Sequence, residues 1–418
     1  MATHRSWQAY QPTYRAGQMK TLAPWILAGV SGTVVGMGGS GKWNLLGFLC
    51  HRPEVLQSYL APLSPDPTPV VLIPVDLNNL PSNTLATLYR IILRSFYETR
   101  AQFEPEVQQT ITALYLENRS SRDPFLSQSA LRELLLAFQA RGTRVVLVLD
   151  RFDRFCQTAT PQMTDTLRGL RDSFKDTLSY IIGMNQEVVY LTDPGVLGEM
   201  YELLDTHVCW VGAMNEADAR QMIVEETHLV APPPNEAEIV HLLALTGGYP
   251  SLLKAACHWW LETAPKPAFS HWLDAQLAQR SVQFRLDEIW KGLTQEERLA
   301  LSEVQKLQGR GQETQKAPER AFESLGKQHR DALQRQEAKR LCEQVGGGWR
   351  VFSDLFAAYI ASVEGRGCGK LWRDERTDAL YQGQTHVEGL APLERAVLCF
   401  LVTHPRVRHT KTDLIVNT

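Results

Sequence analysis

The sequence predicts an α/β protein built on a doubly wound parallel sheet, and three observations carry that expectation. Short apolar runs alternate with segments of helical periodicity over the first half of the chain. Several of these runs end in a polar residue, at Asp76, Asp150 and Asn185. The first run breaks into glycines and resumes as a helix, Gly36-Met-Gly-Gly-Ser-Gly-Lys42. In sheets wound this way, ligands sit beyond the carboxyl ends of the strands. Three strand ends from separate segments therefore converge on one predicted site.

Taken in order, residues 1–30 are polar and aromatic by turns (Trp7, Tyr10, Tyr14, Trp25) and lead into a first strand ending at Gly36. Val70-Val-Leu-Ile-Pro-Val75 is a second strand, apolar throughout as a parallel strand covered on both faces should be. A helix follows, with Leu85, Leu88, Ile91, Ile92 and Phe96 at helical spacing. Residues 103–142 read as further helix, with Leu131, Leu134, Leu135, Leu136 and Phe138 on or near one face. Val145–Leu149, Leu178–Ile182 and Val208–Val211 complete five strands. From Asn215, a predicted N-cap with Asp218 three residues on, the pattern turns helical. Thr246-Gly-Gly-Tyr-Pro250 reads as a helix end, a turn and a new helix.

Composition bounds the function. A chain of 418 residues is expected to hold two to four domains. Hydrophobic content of 44% and charged content of 21% fit a globular protein, and a net charge of −3 provides no global basic field for nucleic acid. No apolar stretch is long enough to span a bilayer. The seven cysteines are scattered without a C-x-x-C pair, which argues against a zinc site and for reduced thiols in a cytoplasm.

The glycine segment fits G-x-x-x-x-G-K, the P-loop or Walker A pattern. Glycines let successive backbone N–H groups turn inward, Lys42 adds a positive charge, and the following helix N-terminus favours an anion. Gly36, Gly38, Gly39, Ser40, Gly41 and Lys42 are thus the expected phosphate-binding residues, with Trp43 directly after them. That last position ordinarily supplies the Ser or Thr hydroxyl that binds Mg²⁺. Asp150 closes a Walker B-like strand and is the expected ligand of Mg²⁺, usually through water. The next residue is Arg151 where hydrolytic relatives commonly carry a carboxylate, leaving Asp153 as the candidate base. A positioned base is worth on the order of 10²–10⁴ in rate. ATP binding with weak or absent hydrolysis is the expectation.

The P-loop, the strand ending Leu149-Asp150-Arg-Phe-Asp153 and Thr246-Gly-Gly-Tyr-Pro250 together resemble the STAND branch of AAA+-type P-loop NTPases, over roughly residues 15–265. The resemblance implies a nucleotide-gated switch whose G-x-P motif, here Gly248 and Pro250, lies in a helical subdomain with the proline against the base. It further implies that Asn185, after the fourth strand, senses the γ-phosphate. Arg168 and Arg171 are candidates for a cation acting in trans within an oligomer.

The C-terminal third supports a regulator. Residues 284–364 begin with Leu286, Ile289, Trp290 and Leu293 and end in a predicted hairpin at Gly346-Gly-Gly-Trp349, resembling a winged helix. Residues 306–341 read as exposed helices and loops, with Arg330, Arg335, Lys339 and Arg340 as a candidate basic face. Three short strands near 370–388 and a helix over Leu390–Leu401 resemble the start of a response-regulator-type winged-helix output domain. A second helix is expected at 410–414, and the pattern stops at Thr418 before a recognition helix, as a truncated module would.

The expected organisation is a P-loop NTPase domain over 1–212, a helical lid over 213–283, and winged-helix-like domains over 284–364 and 365–418. The leading functional expectation is an ATP-switched regulator contacting DNA or a protein partner. The alternatives are a degenerate nucleotide-binding scaffold and an oligomeric ATPase acting on DNA.

Overall fold

The computed structural model describes residues 7–65, 67–191, 193–228, 232–314, 319–363, 371–374, 378–382, 385–387, 389–404 and 410–411. The chain forms two compact units, residues 1–356 and 357–418.

In the first unit, the elements run α1 (Ala16–Ala28), β1 (Gly32–Val35), α2 (Lys42–His51), α3 (Pro53–Leu60), β2 (Val70–Asp76), α4 (Leu85–Thr99), α5 (Pro105–Asn118) and α6 (Pro124–Ala140). There follow β3 (Arg144–Asp150), α7 (Phe152–Cys156), α8 (Pro161–Ser173), β4 (Leu178–Met184), α9 (Tyr201–Asp205) and β5 (Val208–Trp210). The five strands form one parallel sheet in the order β2-β3-β4-β1-β5. All their carboxyl ends therefore share one edge, where Val35, Asp76, Asp150, Met184 and Trp210 terminate the strands. The central strands are apolar and buried on both faces: every residue of β4 is buried, as are Val145–Leu149 of β3.

The doubly wound α/β expectation is met, with local corrections. Residues 16–28 form a helix within the segment expected to be a polar and aromatic lead-in. The helical stretch 103–142 is two helices, separated where Arg119 ends one and Asp123 caps the next. Leu136 is exposed while Leu131, Leu134, Leu135 and Phe138 are buried. Adjacent residues on a helix point about 100° apart, so three consecutive leucines cannot share a face.

The helical segment comprises α10 (Glu216–Thr227), α11 (Glu236–Thr246), α12 (Pro250–Glu262), α13 (Trp272–Leu277) and α14 (Arg280–Lys291). Asn215 caps α10 by accepting from the Asp218 N–H, and α11 begins with a capping box from Asn235 and Glu238. Then come α15 (Gln295–Thr314), α16 (Glu319–Gln328), α17 (Arg330–Ala338), the antiparallel pair β6 (Cys342–Val345) and β7 (Gly348–Val351), and α18 (Asp354–Val363), which crosses into the second unit.

The region 306–341 is less exposed than expected: Ala332, Leu333, Gln336 and Lys339 are buried. Two of the four predicted surface cations are committed internally. Lys339 pairs with the fully buried Glu297, and Arg335 lies 3.2 Å from Glu296. Only Arg330 and Arg340 remain exposed.

In the second unit, β8 (Leu371–Arg373), β9 (Leu380–Gln382) and β10 (Thr385–His386) form an antiparallel sheet, and α19 (Pro392–Thr403) follows. The second helix expected at 410–414 lies outside the described residues from 412 onward. Among the described residues, no helix is long and apolar enough to cross a membrane.

Candidate nucleotide site

The loop between β1 and α2 is built by glycines at the positions that need them. Gly39 (φ 76°) and Gly41 (φ 85°) are left-handed, where a side chain is strained. A β-carbon on Gly36 would come within 2.5 Å of Ser40 Oγ and 2.9 Å of the Val211 carbonyl. Gly36 and Ser40 thus shape the loop from below and do not line the cleft, whereas Gly38, Gly39, Gly41 and Lys42 do. Among the described residues, no backbone partner is found for the N–H groups of Gly39, Gly41 and Lys42. This is the donor array an anion at a helix N-terminus requires.

Sequence reasoning missed the residue that holds this loop in place. Arg15 is only 2% exposed and sits in left-handed backbone at φ 53°. Its guanidinium donates to the carbonyls of Ser40 (2.7 Å), Gly212 (2.9 Å) and Ala213 (3.2 Å). Its backbone N–H donates to Asp218 Oδ2 at 3.0 Å. One arginine thereby ties the N-terminal segment, the P-loop, the exit of β5 and α10 together.

The strand ends supply the remaining groups. Lys42 is 7% exposed, and its Nζ donates to Asn185 Oδ1 at 3.2 Å. Asn185 Nδ2 in turn donates to Asp153 Oδ2 at 2.8 Å. Burial lowers the Lys42 pKa, opposed by the charges of Asp150 and Asp153. Burial likewise raises the Asp150 pKa, opposed mainly by Lys42. Both directions describe groups held out of water. Arg151, left-handed at φ 58°, brings its Nε to 3.9 Å from Asp150 Oδ2. Gly183 makes room for the Asp150 carboxylate, since a β-carbon there would meet Oδ1 at 2.6 Å. Asp150, Asp153 and Asn185, predicted from two separate segments, do meet in one place. Arg168 and Arg171 do not join them: Arg168 bonds Asp172 and the Glu199 carbonyl, and Arg171 lies 3.4 Å from Asp172.

These groups line a cleft of about 650 Å³, within the range of small-molecule sites. Its far wall comes from the helical segment: Met222 of α10 and Pro250, Ser251 and Lys254 of α12. Pro250 is the first residue of α12, and Gly248 sits behind it at φ 70°, its carbonyl accepting from the Met214 N–H at 3.0 Å. Gly248 therefore places Pro250 without lining the cleft. Asn44, Met222 and Pro250 also border a narrower hollow with Tyr10 and Tyr14.

Trp43 leaves the cleft open. Its side chain is 53% exposed and leans on Trp7 at 5.4 Å, while Trp7 stacks on His51 at 4.4 Å. The three rings wall a second hollow of about 110 Å³, which shares Trp43, Asp150 and Arg151 with the main cleft.

The donor set for a divalent cation is incomplete but not hostile. Asp150 Oδ1 is buried without a hydrogen-bond partner among the described residues, so the carboxylate keeps oxygen capacity to spare. The hydroxyl expected beside Lys42 is replaced by an indole that cannot ligate. Among the described residues, no group of three His, Cys, Asp or Glu stands ready to hold a metal. A Mg²⁺ ion would therefore be held by Asp150 and by the ligand's own oxygens.

No protein-family model matches the chain, and no curated protein does. Among solved structures, the Aeropyrum pernix ORC2 protein in ADPNP–ADP complexes is similar at 14% identity and TM-score 0.41, over 86% of this chain and 93% of that one. A Walker-type ATPase of Pyrococcus abyssi is similar at 14% identity and TM-score 0.44, over 83% and 95%. The Aeropyrum pernix ORC1 protein in complex with DNA is similar at 14% identity and TM-score 0.36, over 87% and 95%.

Proposed function

We propose that the chain binds ATP in this cleft and acts as a nucleotide-gated regulator of the STAND kind within the AAA+-type P-loop NTPases, with weak or absent hydrolysis. The observation that carries the reading is the single cleft lined by Lys42, Asp150, Asn185 and Pro250, drawn from four separate segments. In this assignment the inward N–H groups of Gly39 and Gly41 and the Lys42 ammonium hold the phosphates. Pro250 and Met222 border the base, and Asp150 would hold Mg²⁺, which supplies charge neutralisation at the phosphate oxygens when bound.

Asn185 bridges Lys42 and Asp153 by hydrogen bonds, so a change of phosphate charge at Lys42 reaches Asp153 through Asn185. Arg151 stands where a water-polarising carboxylate would, and Asp153, held by Asn185, is the remaining base. The departures at Trp43 and Arg151 lower turnover more than affinity, because phosphate grip resides in the loop and Lys42. Helices α15–α17 with the β6–β7 hairpin, and the second unit with α19, are assigned as winged-helix-like output modules for DNA or a protein partner.

The test pairs thermal and chemical denaturation with and without nucleotide against a phosphate-release assay in Mg²⁺. At ~100 Kd of ATP the folded state should gain about 2.7 kcal/mol. Lys42→Ala should abolish that gain. An undiminished gain in the variant would remove Lys42 from the site.

A further inference from the structure

The carbonyls of three successive P-loop residues each accept a hydrogen bond from outside the loop. Gly38 accepts from the Tyr249 hydroxyl at 2.8 Å, Gly39 from the Ser251 N–H at 3.1 Å, and Ser40 from Arg15 Nη2 at 2.7 Å. In a trans peptide the C=O and the following N–H point in opposite directions. The Tyr249 bond therefore turns the Gly39 N–H away from Tyr249, and the Arg15 bond does the same for Gly41, toward the cleft these glycines line. Two of the three donors flank Pro250 at the start of α12. The fit is close: a β-carbon on Gly39 would meet Ser251 Oγ at 2.2 Å, and one on Gly38 would meet Glu288 Oε1 of α14 at 2.3 Å. Ser251 Oγ itself is buried without a hydrogen-bond partner among the described residues, on the wall of the cleft.

We propose that Tyr249 and Ser251 are positioning residues that complete the phosphate cradle from the helical segment, so that seating of α12 and grip on the phosphates are one event. This rests on the cleft being a nucleotide site. Pro250 borders the base; Tyr249 sets the peptide plane whose Gly39 N–H meets the phosphates, and Ser251 holds the next plane, whose Ser40 N–H is bonded to the Met37 carbonyl at 3.1 Å. A ligand carrying two or three phosphates thus favours the seated α12, and seating of α12 favours that ligand by the same factor. A ligand with one phosphate, lying short of the cradle, draws on the base wall alone.

The test is Tyr249→Phe, which keeps the ring against Phe352 and removes only the donor to Gly38. Titration with a fluorescent ADP analogue, with competition by ATP, ADP and AMP, should show ATP and ADP about five- to tenfold weaker. AMP should stay within about twofold of the parent protein. Hydrogen exchange of the parent protein with and without ADP supplies a readout that needs no variant. The amides of Gly39, Gly41 and the first turn of α12 should slow together. Equal losses for AMP and ADP, unchanged ADP affinity in the variant, or ADP protection of the loop without α12 would each overturn the proposal. Failure of the parent protein to bind any of the three nucleotides would overturn the nucleotide-site reading itself, and this inference with it.

Discussion

Replacing Arg15 by alanine tests how the cradle is held, because its side chain reaches three backbone carbonyls at once. Arg15 is 2% exposed, and its guanidinium donates at 2.7, 2.9 and 3.2 Å. A hydrogen bond from a charged donor contributes about 1.5–3 kcal/mol, and a buried carbonyl left unpaired costs about 1–3 kcal/mol. Three such bonds set an upper range near 9 kcal/mol. Two effects bring it down. Arg15 Nε is buried without a partner among the described residues, a standing penalty that leaves with the side chain, and water can enter the space vacated and bond two of the carbonyls. A net loss of about 4 kcal/mol is expected. The backbone bond from the Arg15 N–H to Asp218 survives the substitution. Guanidinium-chloride unfolding followed by far-UV dichroism and tryptophan fluorescence would measure the loss as a shift in midpoint. Arg15→Lys should fall between the parent protein and Arg15→Ala, since an ammonium can reach one or two carbonyls but lacks the planar fork. A loss below about 1 kcal/mol in Arg15→Ala, at unchanged slope, would refute the staple argument.

The double substitution Trp43→Ser and Arg151→Glu restores a hydroxyl beside Lys42 and a carboxylate beside Asp150. Phosphate release in Mg²⁺ should rise by on the order of 10²-fold, and turnover that stays at the parent level would show that these two positions do not limit the chemistry. The pH dependence of binding follows from Lys42, whose pKa burial lowers from its ordinary 10.5. The ammonium is the binding form, so affinity should fall as pH rises through a value below the usual lysine range, and binding there should take up protons because phosphates favour the charged form. Titration calorimetry in buffers of different ionisation enthalpy would detect that uptake. Proton release on binding, or an affinity flat to the ordinary lysine range, would contradict it.

The sheet was legible because its central strands are continuous apolar runs such as Val145–Leu149, buried on both faces and spaced by amphipathic helices. Asp150, Asn185 and Lys42 were legible because strand ends in such a sheet must share one edge. Arg15 was not legible: a single arginine in an aromatic lead-in carries no pattern, and its partners Gly212 and Ala213 lie 197 and 198 residues away. Tyr249 was read only as the middle of Gly-Tyr-Pro, because a hydroxyl's partner across 211 residues is a fact of packing. Trp43 was readable as a departure from the P-loop pattern, but its outward lean depends on Trp7 in another segment. Lys339 looked like a surface cation because Glu297, which neutralises it, stands 42 residues earlier.

Photolabelling with 8-azido-ATP, followed by peptide mapping, tests the central claim most directly, since the azide reports where the base lies. The account predicts label on peptides containing Met222 and Tyr249–Lys254, suppressed by excess ATP and lost in Lys42→Ala. Label on other peptides that ATP suppresses equally, or label on these peptides that excess ATP leaves undiminished, would contradict it.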